Sequence, residues 1–338
     1  MVDTAVSQRP ARVRPVLDRA VRSVEMRPAA PTAHPQPCPC RDIFSEEWWL
    51  DAVTLGRIER VDVAWDSVPV GTLYYHVVTS GFLRKAVLPP YTRVMTPYLV
   101  PPGERPWTKA ANAVNILRDL YAKMPEMDTY HTVVRSDPDL IFGLQMNGFT
   151  LGYKVTFLSD ASVDMDTVFL GMDQKYRNVI RQGNARFALE RHADLDRFRR
   201  IRAGSRQADY NDYRALGSLL SALVSRGAGT FLTAVSDAGE DQATALVVWD
   251  RERLYYLAAA RYDGTTASKA ATWLFYEAIA FAKRLGLAFD ADGYATVASA
   301  QSLQRWGLPV SLNANVSRSK LAYQLVKPIK DRLAPPPF

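Results

Sequence analysis

The order of predicted elements between residues 231 and 316 constrains the fold more than any other feature of the sequence. Three β-type runs joined by short polar turns are typical of an antiparallel meander, and they span residues 231–235, 243–249 and 254–260. Apolar residues then recur at helical spacing along one face over residues 268–285. A strand at 287–290 follows, so the helix is a crossover and its flanking strands are expected to be parallel. This order predicts an α/β fold with a mixed sheet.

The same order of elements is predicted earlier in the chain. A hairpin, a helix, a strand, a second helix and a strand are expected over residues 60–65 with 72–79, then 109–123, 129–134, 137–146 and 151–157. In the later copy, a short helix at 299–306 and a last strand at 308–316 complete the unit. Gln145 to Phe149 and Gln304 to Leu308 precede the final strands as similar pentapeptides. We therefore predict an internal duplication.

Length and local composition divide the 338-residue chain into four parts. Residues 1–40 are rich in Pro and Arg, lack periodicity and are predicted to be disordered. The first domain is expected over 41–158, beginning with a helix at 45–53 that Ser45 caps. The second domain is expected over 159–330, including a basic helical segment at 170–224, and 331–338 form a tail. This is the size of two ordinary domains.

The composition excludes several classes of function. No run approaches the roughly 18 apolar residues of a membrane span, and no signal peptide opens the chain, so a cytoplasmic protein is expected. The two cysteines, Cys38 and Cys40, cannot make a disulfide framework or a four-ligand zinc set, and no bound metal or cofactor is predicted. No nucleophile with a paired base has a recognisable spacing. Direct transfer of an activated acyl group fits this inventory better than covalent catalysis.

A formal net charge of +7 favours a polyanionic partner, although part of the excess lies in the leader. The cations of the segment at 170–224 are the candidate contacts, and Lys175, Arg177 and Arg181 lie on neighbouring helical faces. They are interpreted either as a solvated basic face or as a surface that binds the phosphates of a substrate.

The turn between the meander and the long helix is a candidate donor site. Unpaired N–H groups at a helix start attract anions, and Arg261, Gly264 and Lys269 lie in or beside this turn. The spacing of a Walker loop is absent. The alternative is an ordinary strand-to-helix turn.

Two carboxylates follow the next strand, at the same end of the sheet. Asp290 and Asp292 are candidate catalytic residues, because a buried carboxylate can take the proton of an attacking amine. Two alternatives stay open here. The Asp-x-Asp pattern could bind the divalent cation of a glycosyltransferase, or it could be a turn that caps the next helix.

Several segments, in this order along the chain, resemble the FemAB/FemX peptidyltransferases and the broader BioF2-like branch of the GNAT acyltransferase superfamily. The resemblance covers about residues 42–330, and its segments are 44–52, 146–149, 176–182, 254–257, 273–287, 289–293 and 303–307. It implies tandem GNAT-like domains, an aminoacyl-tRNA or acyl-CoA donor, and an amine acceptor. In well-known members that acceptor is a cell-wall precursor.

The resemblance also implies roles for individual residues. Arg177 and Arg181 match the basic helix of the family, and Gly293 joins Asp290 and Asp292 in its strand-end turn. Arg305 lies in the segment Gln304-Arg305-Trp306, where the family often has an aromatic residue and a lysine, and it is expected to bind the donor. The leading hypothesis is therefore an acyltransferase that forms an amide bond. A non-catalytic scaffold that binds RNA or another anionic partner is the alternative, and a metal-dependent glycosyltransferase is the third.

Overall fold

The computed structural model describes residues 42–206, 208–293, 296–321 and 323. The predictions for the leader at 1–40 and the tail at 331–338 lie outside the described residues. None of the described helices is both long enough and apolar enough to cross a lipid bilayer.

The first half of the described chain follows the predicted order closely. Its elements are α1 (Glu47–Thr54), β1 (Ile58–Trp65), β2 (Val68–Ser80), β3 (Leu83–Val87), β4 (Tyr98–Leu99), α2 (Pro106–Lys123), β5 (Thr129–Arg135), α3 (Pro138–Met146) and β6 (Thr150–Ser159). The β1–β2 turn contains only Asp66 and Ser67, both with positive φ, as two-residue hairpins require. The prediction that Ser45 caps α1 is wrong: Ser45 ends a short 3-10 helix that the Asp42 side chain caps.

The second half begins with the basic segment, which is mainly helical but also contains a strand that was not predicted. The elements are α4 (Met165–Gly171), α5 (Gln174–Arg186), β7 (Phe187–His192), α6 (Leu195–Ala203), α7 (Tyr213–Arg226), β8 (Gly229–Ser236), β9 (Asp241–Trp249), β10 (Arg253–Arg261), α8 (Thr265–Arg284), β11 (Ala288–Asp290), α9 (Val297–Gln304) and β12 (Val310–Ser319). The unpredicted strand β7 pairs antiparallel with β8.

The described strands form one mixed sheet in the order β1-β2-β3-β5-β12-β6-β11-β10-β9-β8-β7, with β4 paired to β2. The crossover prediction is confirmed, because β10 and β11 are parallel. The first half contains the equivalent parallel pair, β3 and β5. The mixed α/β fold predicted from the sequence is confirmed.

The two units exchange their last strands. β6 follows α3 of the first unit but pairs with β11 of the second, whereas β12 follows α9 and pairs with β5. β6 and β12 also pair with each other at the centre of the sheet. Because this pairing makes the sheet continuous, the domain boundary at residues 158 and 159 stays a prediction.

The duplication has a constant offset from the crossover helix onward. α2 begins at Pro106 and α8 at Thr265, so the two starts are 159 positions apart (265 minus 106). α3 and α9 begin at Pro138 and Val297, which are again 159 positions apart (297 minus 138). The glycine that precedes the last strand has positive φ in both copies. Equivalent positions can therefore be compared directly.

Helices cover both faces of the sheet and divide the core. On one face, α2 and α3 cover the first unit, and α5 and α8 cover the second. On the other face, α1, α6 and α7 pack over the second unit together with the loop that joins β3 to β4. Phe44 and Tyr255 are in ring contact there, which holds the chain segment before α1 against β10.

Candidate active site

The parallel strands β10 and β11 are paired over only three residues, which are the whole of β11. Arg253 to Tyr255 pair with the three residues of β11, after which β10 continues for six residues, roughly 20 Å. The register of β10 against β9 shifts between Tyr256 and Ala258, so Leu257 lies in a bulge. Bulges bend a strand and redirect its backbone groups. Beyond the end of β11, the last six residues of β10 have no parallel partner among the described strands.

The turn after β11 is held by Asp290. This buried carboxylate accepts a hydrogen bond from Thr156 Oγ1 at 2.5 Å and one from the Asp292 backbone N–H at 2.9 Å. The Gly293 N–H donates to Thr156 Oγ1 at 3.1 Å. Gly293 has φ +73°, and a Cβ there would lie 2.6 Å from the Val155 carbonyl oxygen. Gly293 is therefore required for its backbone conformation. Asp290 fixes the position of Asp292 through the hydrogen bond from the Asp292 N–H.

Asp292 is the carboxylate that this turn presents, and its partner comes from the first unit. Its side chain is only 10% exposed and pairs with Arg93, which lies in the loop between β3 and β4. Arg93 Nη2 also donates to the Leu257 carbonyl in the bulge at 2.6 Å. Burial raises the pKa of Asp292 to about 7, and Arg93 opposes that rise. A buried carboxyl group that titrates near neutral pH can act as a proton acceptor.

A second buried ion pair lies beside the first. Arg135 Nε donates to Asp42 Oδ2 at 3.3 Å, and Arg135 Nη2 donates to the Tyr255 hydroxyl at 2.8 Å. That hydroxyl donates in turn to Asp250 at 3.0 Å. Burial raises the pKa of Asp42 to about 6, although Arg135 lowers it. The network joins β5 of the first unit to β10 of the second.

Lys154 and Asn313 form the remaining wall of the site. They face each other in the β6–β12 register, and both line a small cavity together with Arg93, Asp290 and Asp292. Burial lowers the pKa of Lys154, while Asp292 opposes this effect. The exchange of β6 and β12 brings these two side chains to the end of β11.

The predicted donor residues fall into two groups. Arg261 ends β10, Gly264 precedes α8 with φ +111° and no side-chain cap, and Lys269 Nζ lies 3.4 Å from Gln182 Oε1 near the end of α5. Arg305 lies at the start of α5, where its carbonyl oxygen accepts a hydrogen bond from the Asp173 N–H. The structure therefore separates Arg305 from the other three residues by most of the length of α5.

The predicted substrate-binding residues of α5 differ in their surroundings. Arg177 Nη1 donates to the carbonyls of Leu170 and Met172 at 2.9 and 2.8 Å, so it holds the end of α4. Arg181 lies over the Phe169 ring and donates to Asn178 at 3.2 Å. Lys175 is exposed. The interpretation of these residues as phosphate ligands stays a prediction, and Arg177 has a structural role that the sequence analysis missed.

The charges around the Asp-x-Asp turn also bear on the glycosyltransferase alternative. Arg253 Nη1 lies 3.6 Å from Asp290 Oδ2, and Arg93 pairs with Asp292. A guanidinium beside each carboxylate opposes the approach of a divalent cation. Among the described residues, no group of three or more metal-ligating side chains is suitably placed.

Several residues of the site were missed by sequence reasoning: Asp42, Arg93, Arg135, Lys154, Thr156, Tyr255 and Asn313. They come from both units and from elements far apart in sequence. One local signal was available, because Lys154 and Thr156 are polar residues on one face of a central strand. Both residues line the site in the structure, where β6 pairs with β11 of the other unit.

Comparisons with known proteins concern the fold alone. No protein-family model and no curated protein matches the sequence. Among solved structures, FemX is similar with a TM-score of 0.62 at 13% identity, covering 86% of this chain and 95% of that chain. The C-terminal domain of a putative lysylphosphatidylglycerol synthetase from Agrobacterium fabrum has a TM-score of 0.52 at 11% identity, covering 85% and 91%. The structure of L-PGS from Bacillus licheniformis also has 0.52 at 11%, covering 84% and 90%. The chain therefore shares the fold of FemX, of this lysylphosphatidylglycerol synthetase domain and of L-PGS.

Proposed function

We propose that this protein transfers an acyl or aminoacyl group to an amine, and that Asp292 accepts the proton of that amine. The observation that carries the proposal is a buried carboxyl group with a raised pKa just after the end of β11, where β10 continues without its parallel partner. At neutral pH a primary amine is mostly protonated and must lose a proton before or during its attack on a carbonyl carbon. A base with a pKa near 7 is suited to that step.

The donor is proposed to enter between β10 and β11, with its phosphates at the start of α8. The first turn of α8 has no acidic residue and no side-chain cap, so its N–H groups remain available to an anion. Arg261 and Lys269 add positive charge to this region. Both an acyl-CoA and the 3′ end of an aminoacyl-tRNA present phosphate and an activated carbonyl, and either class of donor would place the reaction in the cytoplasm.

The duplication supports a single reactive site, in the second unit. With the offset of 159, the equivalents of Asp290 and Asp292 are His131 and Val133. Val133 is 2% exposed and packs in the apolar core, so the first unit has no carboxylate at this position. We infer that the first unit supplies Arg93 and Lys154 to the site of the second.

The test begins with binding of acetyl-CoA and alanyl-tRNA as donor probes, followed by turnover with a panel of primary amines. Asp292→Asn is expected to lower the rate by about 100-fold or more, the usual effect of losing a general base, with donor binding retained. Asp237→Asn, in the exposed turn between β8 and β9, is the matched control and is expected to be unchanged. Unchanged turnover in Asp292→Asn, or binding of neither donor by the folded protein, would contradict the proposal.

The scaffold alternative predicts a different outcome. A protein that binds RNA only through α5 would bind uncharged tRNA as well as charged tRNA and would show no turnover with any amine. Substitution of Lys175 and Arg181 would then remove binding, whereas Asp292→Asn would have no effect. A glycosyltransferase would be recognised by dependence on added Mn²⁺ or Mg²⁺.

A further inference from the structure

The geometry points to Lys154 and Asn313 as the pair that binds the carbonyl oxygen of the transferred acyl group and stabilises the negative charge formed on it. The inference rests on the proposed acyl transfer and adds two residues to it. Both residues lie at the centre of the sheet, where β6 and β12 pair.

Lys154 and Asn313 occupy equivalent positions in the two units and also face each other in the register. They are 159 positions apart (313 minus 154), the offset that relates the units, and they are Cα partners between β6 and β12. The pair therefore lies at the centre of the strand exchange. Facing residues on one side of a sheet have Cβ atoms about 5 Å apart, so both side chains can reach one atom.

The ammonium group of Lys154 differs from the arginines of the site, because each of those arginines has a carboxylate partner. Arg93 pairs with Asp292, Arg135 with Asp42, and Arg253 with Asp290. Within the part of the chain that the structure describes, neither Lys154 nor Asn313 uses its side chain in a hydrogen bond or an ion pair. A half-buried ammonium group without a partner is unfavourable, and an anionic oxygen brought into contact with it would offset that cost.

The cavity beside Lys154 and Asn313 is small, with room for at least one water-sized atom. A carbonyl oxygen therefore fits in it. Asp292 and Arg93 line the same cavity, so an oxygen bound here lies beside the proposed base.

This arrangement assists the attack of the amine on the carbonyl carbon of the donor. The amine nitrogen forms a bond to the carbonyl carbon, and the π electron pair moves onto the oxygen held by Lys154 and Asn313. The nitrogen releases a proton to Asp292. The oxygen pair then re-forms the C=O bond, the C–S bond of a thioester or the C–O bond of an ester breaks, and the leaving group takes up the proton from Asp292.

The test compares Lys154→Met with Lys109→Met, an exposed lysine near the start of α2. Lys154→Met should lower kcat by about 100- to 1,000-fold, the usual effect of losing one such donor, with KM and donor binding little changed. Lys154→Arg should restore part of kcat, and Lys109→Met should match the unsubstituted protein. Asn313→Ala, which keeps the charge of the site, should lower kcat by about 10-fold, the effect of losing one neutral hydrogen bond; an unchanged kcat would contradict the role of Asn313.

The outcomes separate this inference from the proposed function. If the unsubstituted protein turns over acetyl-CoA or alanyl-tRNA and Lys154→Met keeps its kcat, the role of Lys154 is wrong while acyl transfer stands. If the unsubstituted protein turns over neither donor, both proposals fail. If Lys154→Met loses kcat and also has a lower thermal midpoint and weaker donor binding than the unsubstituted protein, Lys154 has a structural role. That result would also overturn the inference.

Discussion

Gly307 and Gly148 provide a matched test of how the turn before β12 packs against the end of α4. They are equivalent positions of the duplication, and both have positive φ, +65° and +75°. A Cβ at Gly148 would meet nothing within 4 Å, whereas a Cβ at Gly307 would overlap the Gly171 carbonyl oxygen and lie 2.8 Å from its carbonyl carbon. Alanine at either position adopts an unfavourable left-handed backbone conformation, at about the same cost in free energy. Only alanine at Gly307 would also clash with another backbone segment, at Gly171.

The expected magnitudes follow from these two costs. The left-handed conformation costs an alanine roughly 1–2 kcal/mol, so Gly148→Ala should lose about that much free energy of unfolding. Overpacking adds about 1–3 kcal/mol, so Gly307→Ala should lose about 2–5 kcal/mol. The chain at Gly171 cannot easily shift, because Arg177 holds the carbonyls of Leu170 and Met172 on either side of it.

The assay is urea unfolding followed by far-UV circular dichroism and tryptophan fluorescence, with both variants and the unsubstituted protein measured in parallel. Gly307→Ala should unfold at a clearly lower urea concentration than Gly148→Ala. Equal destabilisation of the two variants would refute the argument, because it would mean that the contact with Gly171 has no energetic cost.

Two further predictions concern pH. Arg93→Gln removes the cation that opposes the rise in the pKa of Asp292, so the acid limb of the kcat/KM profile should move to higher pH; an unmoved limb would contradict the assignment of Asp292 as the base. Burial lowers the pKa of His192 to about 4 from 6.5, so the unfolded chain binds its proton first and stability should fall as pH drops from about 6.5 to about 4. His192→Gln should flatten this part of the unfolding profile, and an unchanged slope would contradict the argument.

Most helices and strands could be predicted from the sequence, because the residues that determine each of them lie within that element or beside it. The turns of the second meander, the apolar stripe of α8 and the similar pentapeptides before β6 and β12 are all contained in short stretches of sequence. Periodicity and turn residues report such features directly. β3, β4 and β7 were not recognised, and their pairing with distant strands defines them more than their own composition does.

Part of the candidate site could likewise be predicted from the sequence, and part of it depends on residues that are distant in sequence. Asp290, Asp292 and Gly293 were found because a strand, a turn and two acids follow one another in sequence. Which of the two acids is presented could not be predicted, since that depends on Thr156 from β6 and on Arg253 from β10. Arg305 was grouped with the α8 turn because of the family resemblance at residues 303–307. The structure puts it at the start of α5, whereas Lys269 lies near Gln182, more than two turns further along that helix.

The sequence by itself determined that the chain is a duplicated α/β protein with a parallel crossover in the meander of residues 231–316. Only the tertiary structure decided that the two copies exchange β6 and β12, because strand exchange depends on which edge each strand meets and leaves the local pattern unchanged. That exchange brings Lys154 to Asn313, and the folding of the β3–β4 loop over β10 brings Arg93 to Asp292. Asp290 and Asp292 could be identified from the sequence, whereas their partners Thr156 and Arg93 could be identified only from the structure.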